Sequence, residues 1–262
     1  MSAVPRPPES DRPGELEAMT LIEHLSELRR RLMKCLVAVV IGATVMWFFY
    51  DPAFRWLADQ LQRTCAVDQQ CEIIQTNPLQ GFSTRMTFSG YGGIALAMPV
   101  ILWQVWRFIM PGLYPKEKRL AWPFTISALL LFVMGASVSL WTLPKALEFL
   151  ISVGGENFAQ FYTPDAYVSF TVKMMVAFGI GFEFPILLVF LQLANVVTPK
   201  QLGKWRRYAI VIIVVVVAVL TPSGDPISLA ALAIPMVVFY ELSIVIGKLV
   251  YRHRRKNAQA GK

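Results

Sequence analysis

Apolar runs about as long as a bilayer-spanning helix, roughly 20 residues, recur along almost the whole chain. Backbone groups in lipid must be satisfied within a helix or a closed barrel. No run shows the polar–apolar alternation of a barrel strand, so a helical bundle is the spanning solution that remains. Composition agrees: 16% of residues are charged, against about 25% in soluble domains. A formal charge of +8 raises nucleic acid as a partner. The basic residues, however, cluster beside the apolar runs, which is the pattern of topology control, so no nucleic-acid partner is expected.

Six spans are predicted, near Met33–Tyr50, Met86–Met110, Trp122–Leu143, Val168–Val197, Ala209–Leu220 and from about Ile227 onward. Arg29, Arg30, Arg31 and Lys34 precede the first, and Lys116, Lys118 and Arg119 follow the second. Lys200, Lys204, Arg206 and Arg207 precede the fifth, while Arg252, Arg254, Arg255 and Lys256 follow the last. The alternate loops carry scattered Arg55, Arg63 and Lys145 among Asp51, Asp59, Asp68, Glu72, Glu148 and Glu156. The positive-inside rule then predicts that both termini are cytoplasmic. The proline- and charge-rich head, residues 1–18, reads as a disordered tail; residues 19–250 form the membrane domain, and 251–262 a basic tail.

The last two spans look short. Between Arg207 and the TPSGDP turn lie about twelve apolar residues, roughly 18 Å of helix against a hydrocarbon core about 30 Å thick. Ile227 and Glu241 bracket a similar stretch. Either the bilayer thins around this pair, the reading preferred here, or the fifth helix extends back through Tyr208 and Trp205 with its arginines snorkelling. Cys65 and Cys71 in the outer CAVDQQC loop form a small-loop disulfide or remain two thiols. Cys35 reads as a small apolar filler. With His24 and His253 as the only histidines, neither a transition-metal site nor a cofactor is expected.

The polar residues near and inside the spans carry the functional signal. In HLSELRRRL, Glu27 stands just ahead of three arginines, although acidic lipid headgroups would repel it. Thr20 and Glu23 make a capping box. Leu21, Leu25, Leu28 and Leu32 form one stripe opposite Glu23, Glu27, Arg30 and Lys34, which predicts an amphipathic helix lying at the interface before the first span. A local pair with Arg30 or Arg31, worth a few tenths of a kcal/mol, accounts for Glu27 without any function. Glu117 in MPGLYPKEKRL has the same setting, a carboxylate within a basic collar. Two such acids suit a cationic ligand, since arginine binds carboxylates through paired, charge-assisted bonds.

Glu183 lies deep in the fourth span, where a carboxyl costs roughly 2.5–3.5 kcal/mol on insertion scales. It reads either as a functional polar site or as a protonated acid bonded to a hydroxyl, and Pro185 predicts a kink beside it. Glu241 reads as snorkelling, and Asp225 as a turn residue capping the last helix, with Pro226 at its first position. Trp103, Trp106 and Phe108 read as an interfacial belt. GIGF and YGG lack the lysine and hydroxyl of a phosphate loop.

Taken together, HLSELRRRL, ILWQVWRFIMPGLYPKEKR, FGIGFEFP, and LTPSGDP with LAIPMVVFYE resemble the TatC family, the multi-spanning receptor of the twin-arginine protein translocase, from about Met19 to Val250. The resemblance implies a glove-shaped bundle in a prokaryotic cytoplasmic membrane. It assigns Glu27 and Glu117 to the consecutive arginines of export signal peptides, with Arg29, Gln104, Phe108, Pro111, Leu113 and Tyr114 in support. It puts Glu183 on the hollow face, Pro78 and Asp225 at outer-loop positions, and single-span TatA- and TatB-type partners on the fifth and sixth helices, in a receptor complex that self-associates. Some relatives carry a polar residue one turn into the sixth helix, where this chain has Leu229 and Ala230.

The function expected is therefore a non-enzymatic receptor and scaffold for folded-protein export, driven by the proton-motive force. The alternative is a proton-coupled secondary transporter using Glu183, which predicts matched broken helices and repeat symmetry. An intramembrane enzyme would need a nucleophile–base pair or metal cluster at one depth, and none is visible in the sequence.

Overall fold

The computed structural model describes residues 21–64, 73–109, 121–154, 162–193, 196–222 and 224–260, and these are almost entirely helical. In chain order the helices are α1 Leu21–Phe48, α2 Tyr50–Thr64, α3 Gln80–Ile109, α4 Ala121–Gly154, α5 Pro164–Phe182, α6 Phe184–Leu193, α7 Pro199–Leu220 and α8 Pro226–Ala260. Five stretches are long and apolar enough to cross a membrane: Leu25–Phe48, Gln80–Phe108, Trp122–Gly154, Pro164–Leu193 across α5 and α6, and Pro226–Tyr251. The α5–α6 stretch is the most enclosed of these and α1 the least.

Local chemistry sets the helix ends. Thr163 and Thr198 precede Pro164 and Pro199 at the first helical positions, and Thr198 forms a full capping box with Gln201. Gly224, at φ 59°, closes the turn ahead of α8, and the Asp225 Oδ1 accepts from the Ser228 N–H at 2.7 Å. The predicted capping role of Asp225 is therefore present, and the residue is buried. Between α5 and α6 the helix breaks at Glu183, two residues before Pro185. This is the predicted kink, made where proline cannot donate to the helical ladder.

Packing is tightest between α1 and α3. A side chain added at Gly42 would stand 2.7 Å from the Gly93 carbonyl oxygen, and one at Gly93 would stand 2.5 Å from the Ala43 nitrogen. Small residues on both helices let the backbones approach this closely, as membrane helices commonly do. A larger core joins α2, α5 and α8 through Leu57, Leu61, Phe178, Leu232 and Tyr240; a smaller one joins α3, α4 and α6 through Leu102, Trp106, Phe132 and Phe190.

Four expectations are corrected. First, α1 is a single unbroken helix rather than an interfacial segment followed by a span. Its leucines Leu25, Leu28 and Leu32 point outward, while Glu27 and Arg31 are the half-buried pair. In a bilayer the apolar stripe gains nothing by turning inward, so polar and small residues take the packed face.

Second, the first outer loop contains α2, whose Phe54, Leu57 and Leu61 pack on the core at helical spacing; Tyr167 of α5 donates its hydroxyl to the Leu57 carbonyl at 2.9 Å. Third, the last stretch is not short. Glu241 does not end it, because its carboxylate pairs with Arg206 at 2.7 Å, and the apolar stretch runs on to Tyr251. The apolar part of α7 is brief, yet the helix extends back through Trp205 to Pro199, 22 residues or roughly 33 Å. That is the alternative passed over above. Fourth, Trp106 is core rather than belt: 5% exposed, it meets Phe190 edge-on with ring centroids 4.9 Å apart.

Candidate functional site

A chain of contacts identifies one end of the bundle. Arg31 near the start of α1 reaches Gln104 near the end of α3 at 3.4 Å. Trp103 of α3 packs at a tilt against Trp122 at the start of α4, centroids 5.2 Å apart. Gln192, near the end of α6, donates to the Ser243 carbonyl of α8 at 3.0 Å, and Tyr240 donates to the Leu202 carbonyl near the start of α7 at 2.7 Å. This end holds Arg29, Arg30, Arg31, Lys34, Arg107, Lys200, Lys204, Arg206 and Arg207. The opposite end holds Asp51, Asp59, Glu148 and Asp165. There Arg85 braces the α1–α2 corner by donating to the Trp47 carbonyl at 2.9 Å and packing over the Trp47 ring.

At the basic end the helical register puts Glu27 and Arg31, four residues apart, on the α3 side of α1. Arg31 donates from Nε at 3.1 Å, and from Nη2 as well, to the same oxygen, Glu27 Oε1. Its Nη1 goes to Gln104 Oε1. The other carboxylate oxygen, Oε2, is buried without a hydrogen-bond partner among the described residues. A buried acceptor left unmatched costs about 1–3 kcal/mol, more when it is charged. The local pair weighed from the sequence is thus present, but it satisfies half the carboxylate. The remaining oxygen is suited to one more strong donor, such as a guanidinium or an ammonium.

The other predicted residues fall into three groups. Gln104 joins Glu27 through Arg31, and Phe108 is half-buried one turn further along α3. Arg29 is exposed and lines a separate depression on α1 with Leu25, Arg30, Met33 and Val37. Glu117, Pro111, Leu113 and Tyr114 lie outside the described residues, as do Cys65 and Cys71; α3 itself ends at Ile109, about a turn and a half beyond Gln104.

Glu183 sits at the α5–α6 break with both carboxylate oxygens buried and no described partner, so the hydroxyl-bonded alternative is not what the structure contains. Beside α5 an apolar groove of about 510 Å³ runs between α3 and α4, lined by Tyr91, Leu96, Leu140, Val172 and Met175 among others. Glu183 is not among its lining residues.

Pro78 is exposed in the turn before α3, where Gln75 Nε2 donates to its carbonyl at 3.3 Å and Leu79 N–H donates to Asn77 Oδ1 at 3.0 Å. Sequence reasoning missed Lys173, half-buried in α5 ten residues ahead of Glu183 and without an ion pair among the described residues. A charge count within the span would have found it.

Comparison with known proteins follows the same lines. The family model for Sec-independent protein translocase protein (TatC) matches residues 23–235. The TatC of Aquifex aeolicus is 38% identical over 245 residues, covering 92% of this chain and all of that one. The TatC of Helicobacter pylori strain J99 is 35% identical, covering 87% and 88% of the two chains. A crystal structure of the twin arginine translocase receptor TatC superposes with a TM-score of 0.74 at 40% identity, covering 87% of this chain and 99% of that one. With the helices, the basic end and the half-matched Glu27 in place, the chain belongs to the TatC family of Sec-independent protein translocases.

Proposed function

We propose that this chain is the signal-peptide receptor of a twin-arginine export system, with Glu27 and Glu117 each taking one guanidinium of the consecutive arginines. The observation that carries the reading is the Glu27 oxygen left buried without a partner among the described residues, at the basic end where Arg31 joins Glu27 to Gln104. Arg31 already occupies the neighbouring oxygen as an internal guanidinium. An incoming arginine takes Oε2, and its fixed planar fork makes it a better guest than lysine, whose ammonium is a compact, strongly hydrated point charge. Glu117 supplies the second carboxylate from the segment beyond α3. Arg29, Phe108, Pro111, Leu113 and Tyr114 shape the surroundings, and the apolar groove between α3, α4 and α5 offers a track for the hydrophobic part of the signal.

In this reading α7 is the fifth span in chain order and completes the six, extended back through Tyr208 and Trp205 with its arginines snorkelling, and both termini are cytoplasmic, because the basic end is the end that the positive-inside rule keeps there. The chain performs no covalent chemistry. It scaffolds single-span TatA- and TatB-type partners along α7 and α8, self-associates in the receptor complex, and the proton-motive force supplies the work. Support for partner docking comes from the outward-facing Val211, Ile212, Val215 and Val219 of α7, a ridge left exposed among the described residues. The transporter alternative draws on Glu183 alone, whereas the receptor reading draws on the family as well.

The test is photocrosslinking of a twin-arginine signal peptide to membrane-inserted protein. Glu27→Ala and Glu117→Ala are each expected to abolish the crosslink while leaving expression and insertion unchanged. Full crosslinking in either variant overturns the assignment. Co-purification with small single-span proteins tests the scaffold role separately.

A further inference from the structure

Beyond the signal site, the basic end contains a second feature that nothing above uses, a cavity of about 670 Å³ between the start of α7 and the second half of α8. Thr198, Lys200, Gly203 and Arg206 line it from α7, and Lys248 and Tyr251 from α8. We infer that this cavity binds the phosphate-bearing headgroup of an anionic phospholipid.

Its walls are held at a fixed spacing. Tyr240 of α8 is hydrogen-bonded to the Leu202 carbonyl, and the Thr198–Gln201 box defines the first turn of α7. The charge balance inside is positive: Arg206 is paired with Glu241, while Lys200 and Lys248 have no ion pair among the described residues. Gly203 supplies the room, since a side chain added there would meet nothing within 4 Å.

The cavity stands where α7 changes from charged to apolar, three residues ahead of Ala209. Below it, Ile210 and Val214 continue the helical stripe of Gly203 and Arg206, and Val245 and Val238 continue that of Lys248; all four apolar side chains are exposed. Cations above two exposed apolar stripes match a lipid, with its phosphate on the lysines and its acyl chains along the stripes. A free phosphate would use only the upper half. Basic pockets between membrane helices bind anionic headgroups by this same attraction.

The experiment is native mass spectrometry of the full chain in neutral detergent, with phosphatidylglycerol, phosphatidylcholine or inorganic phosphate added. The parent protein is expected to retain phosphatidylglycerol in preference to phosphatidylcholine, with inorganic phosphate at equal concentration failing to displace it. Lys200→Gln with Lys248→Gln should lower retention by roughly tenfold or more, at about one favourable contact per lost cation. Gly203→Leu, which fills the space, should do the same with an unchanged unfolding temperature. Lys34→Gln with Arg107→Gln, removing two charges from the same end outside the cavity, should leave retention intact. Equal retention by the double lysine variant, an equal loss in the control, no preference over phosphatidylcholine, or displacement by inorganic phosphate would each overturn the assignment.

Discussion

Glu27 and Glu241 stand at the same end of the bundle, each against an arginine, and their surroundings give the two pairs different meanings. The Arg206–Glu241 pair joins α7 to α8 in the open, with side chains 50% and 41% exposed. Water completes whatever hydrogen bonds the pair leaves, so its contribution is that of a surface brace, about 0–1 kcal/mol. The Glu27–Arg31 pair is within one helix, 20% and 14% exposed, and one of its carboxylate oxygens is buried without a hydrogen-bond partner among the described residues. The same two residue types thus make a finished contact in one place and an unfinished one in the other. What separates them is the close approach of α1 to α3, which the Gly42–Gly93 contact permits and which shuts water out of one face.

The comparison can be broken most forcefully at Glu27. Glu27→Gln keeps the shape and removes the charge, and is expected to weaken binding of a labelled twin-arginine peptide by about 100-fold, the scale of truncating a buried charged hydrogen bond; fluorescence anisotropy in detergent reads it. Next comes the packing that isolates the site. Gly42→Val forces α1 off α3 and should cost about 1–3 kcal/mol, seen as a lower unfolding temperature together with weaker peptide binding.

A smaller effect, of opposite sign, is expected from Arg31→Gln. Removing the internal guanidinium frees Oε1 and a competing charge, so peptide binding should tighten by up to about fivefold, the scale of one partly exposed charge pair. Weakened binding in this variant would mean that Arg31 serves the guest rather than standing in for it. Smallest is Arg206→Gln, which should shift stability by less than about 1 kcal/mol and leave peptide affinity unchanged. A large binding defect there would erase the contrast between the two pairs.

How much of this was legible in the sequence differs by region. The apolar runs gave five of the six predicted spans as long apolar helices, since a continuous run has few other ways to satisfy its backbone. Asp225–Pro226 and Glu183–Pro185 announced a cap and a break, because both depend on covalent geometry and near neighbours. Side-chain direction was another matter. The leucine stripe of α1 reads as a separate interfacial helix, whereas the structure runs it unbroken into the span with Leu25, Leu28 and Leu32 outward. Trp106 resembles an interfacial anchor until α6 supplies Phe190, and Glu241 marks the end of a span until α7 supplies Arg206. Each of these needed a partner remote in sequence. The half-matched state of Glu27 was beyond the sequence for the same reason: the spacing to Arg31 foretold the pair, but not that one oxygen would be buried against α3.

The most direct test of the receptor claim is a double-mutant cycle between Glu27 and the consecutive arginines of the bound peptide. Affinities are measured for parent and Glu27→Gln protein, each with an arginine pair and with one arginine replaced by glutamine. A coupling energy of about 1.5 kcal/mol or more, the range of close charge pairs across an interface, is predicted for one of the two arginines. Additive losses at both positions, with no coupling to Glu27, would contradict the account.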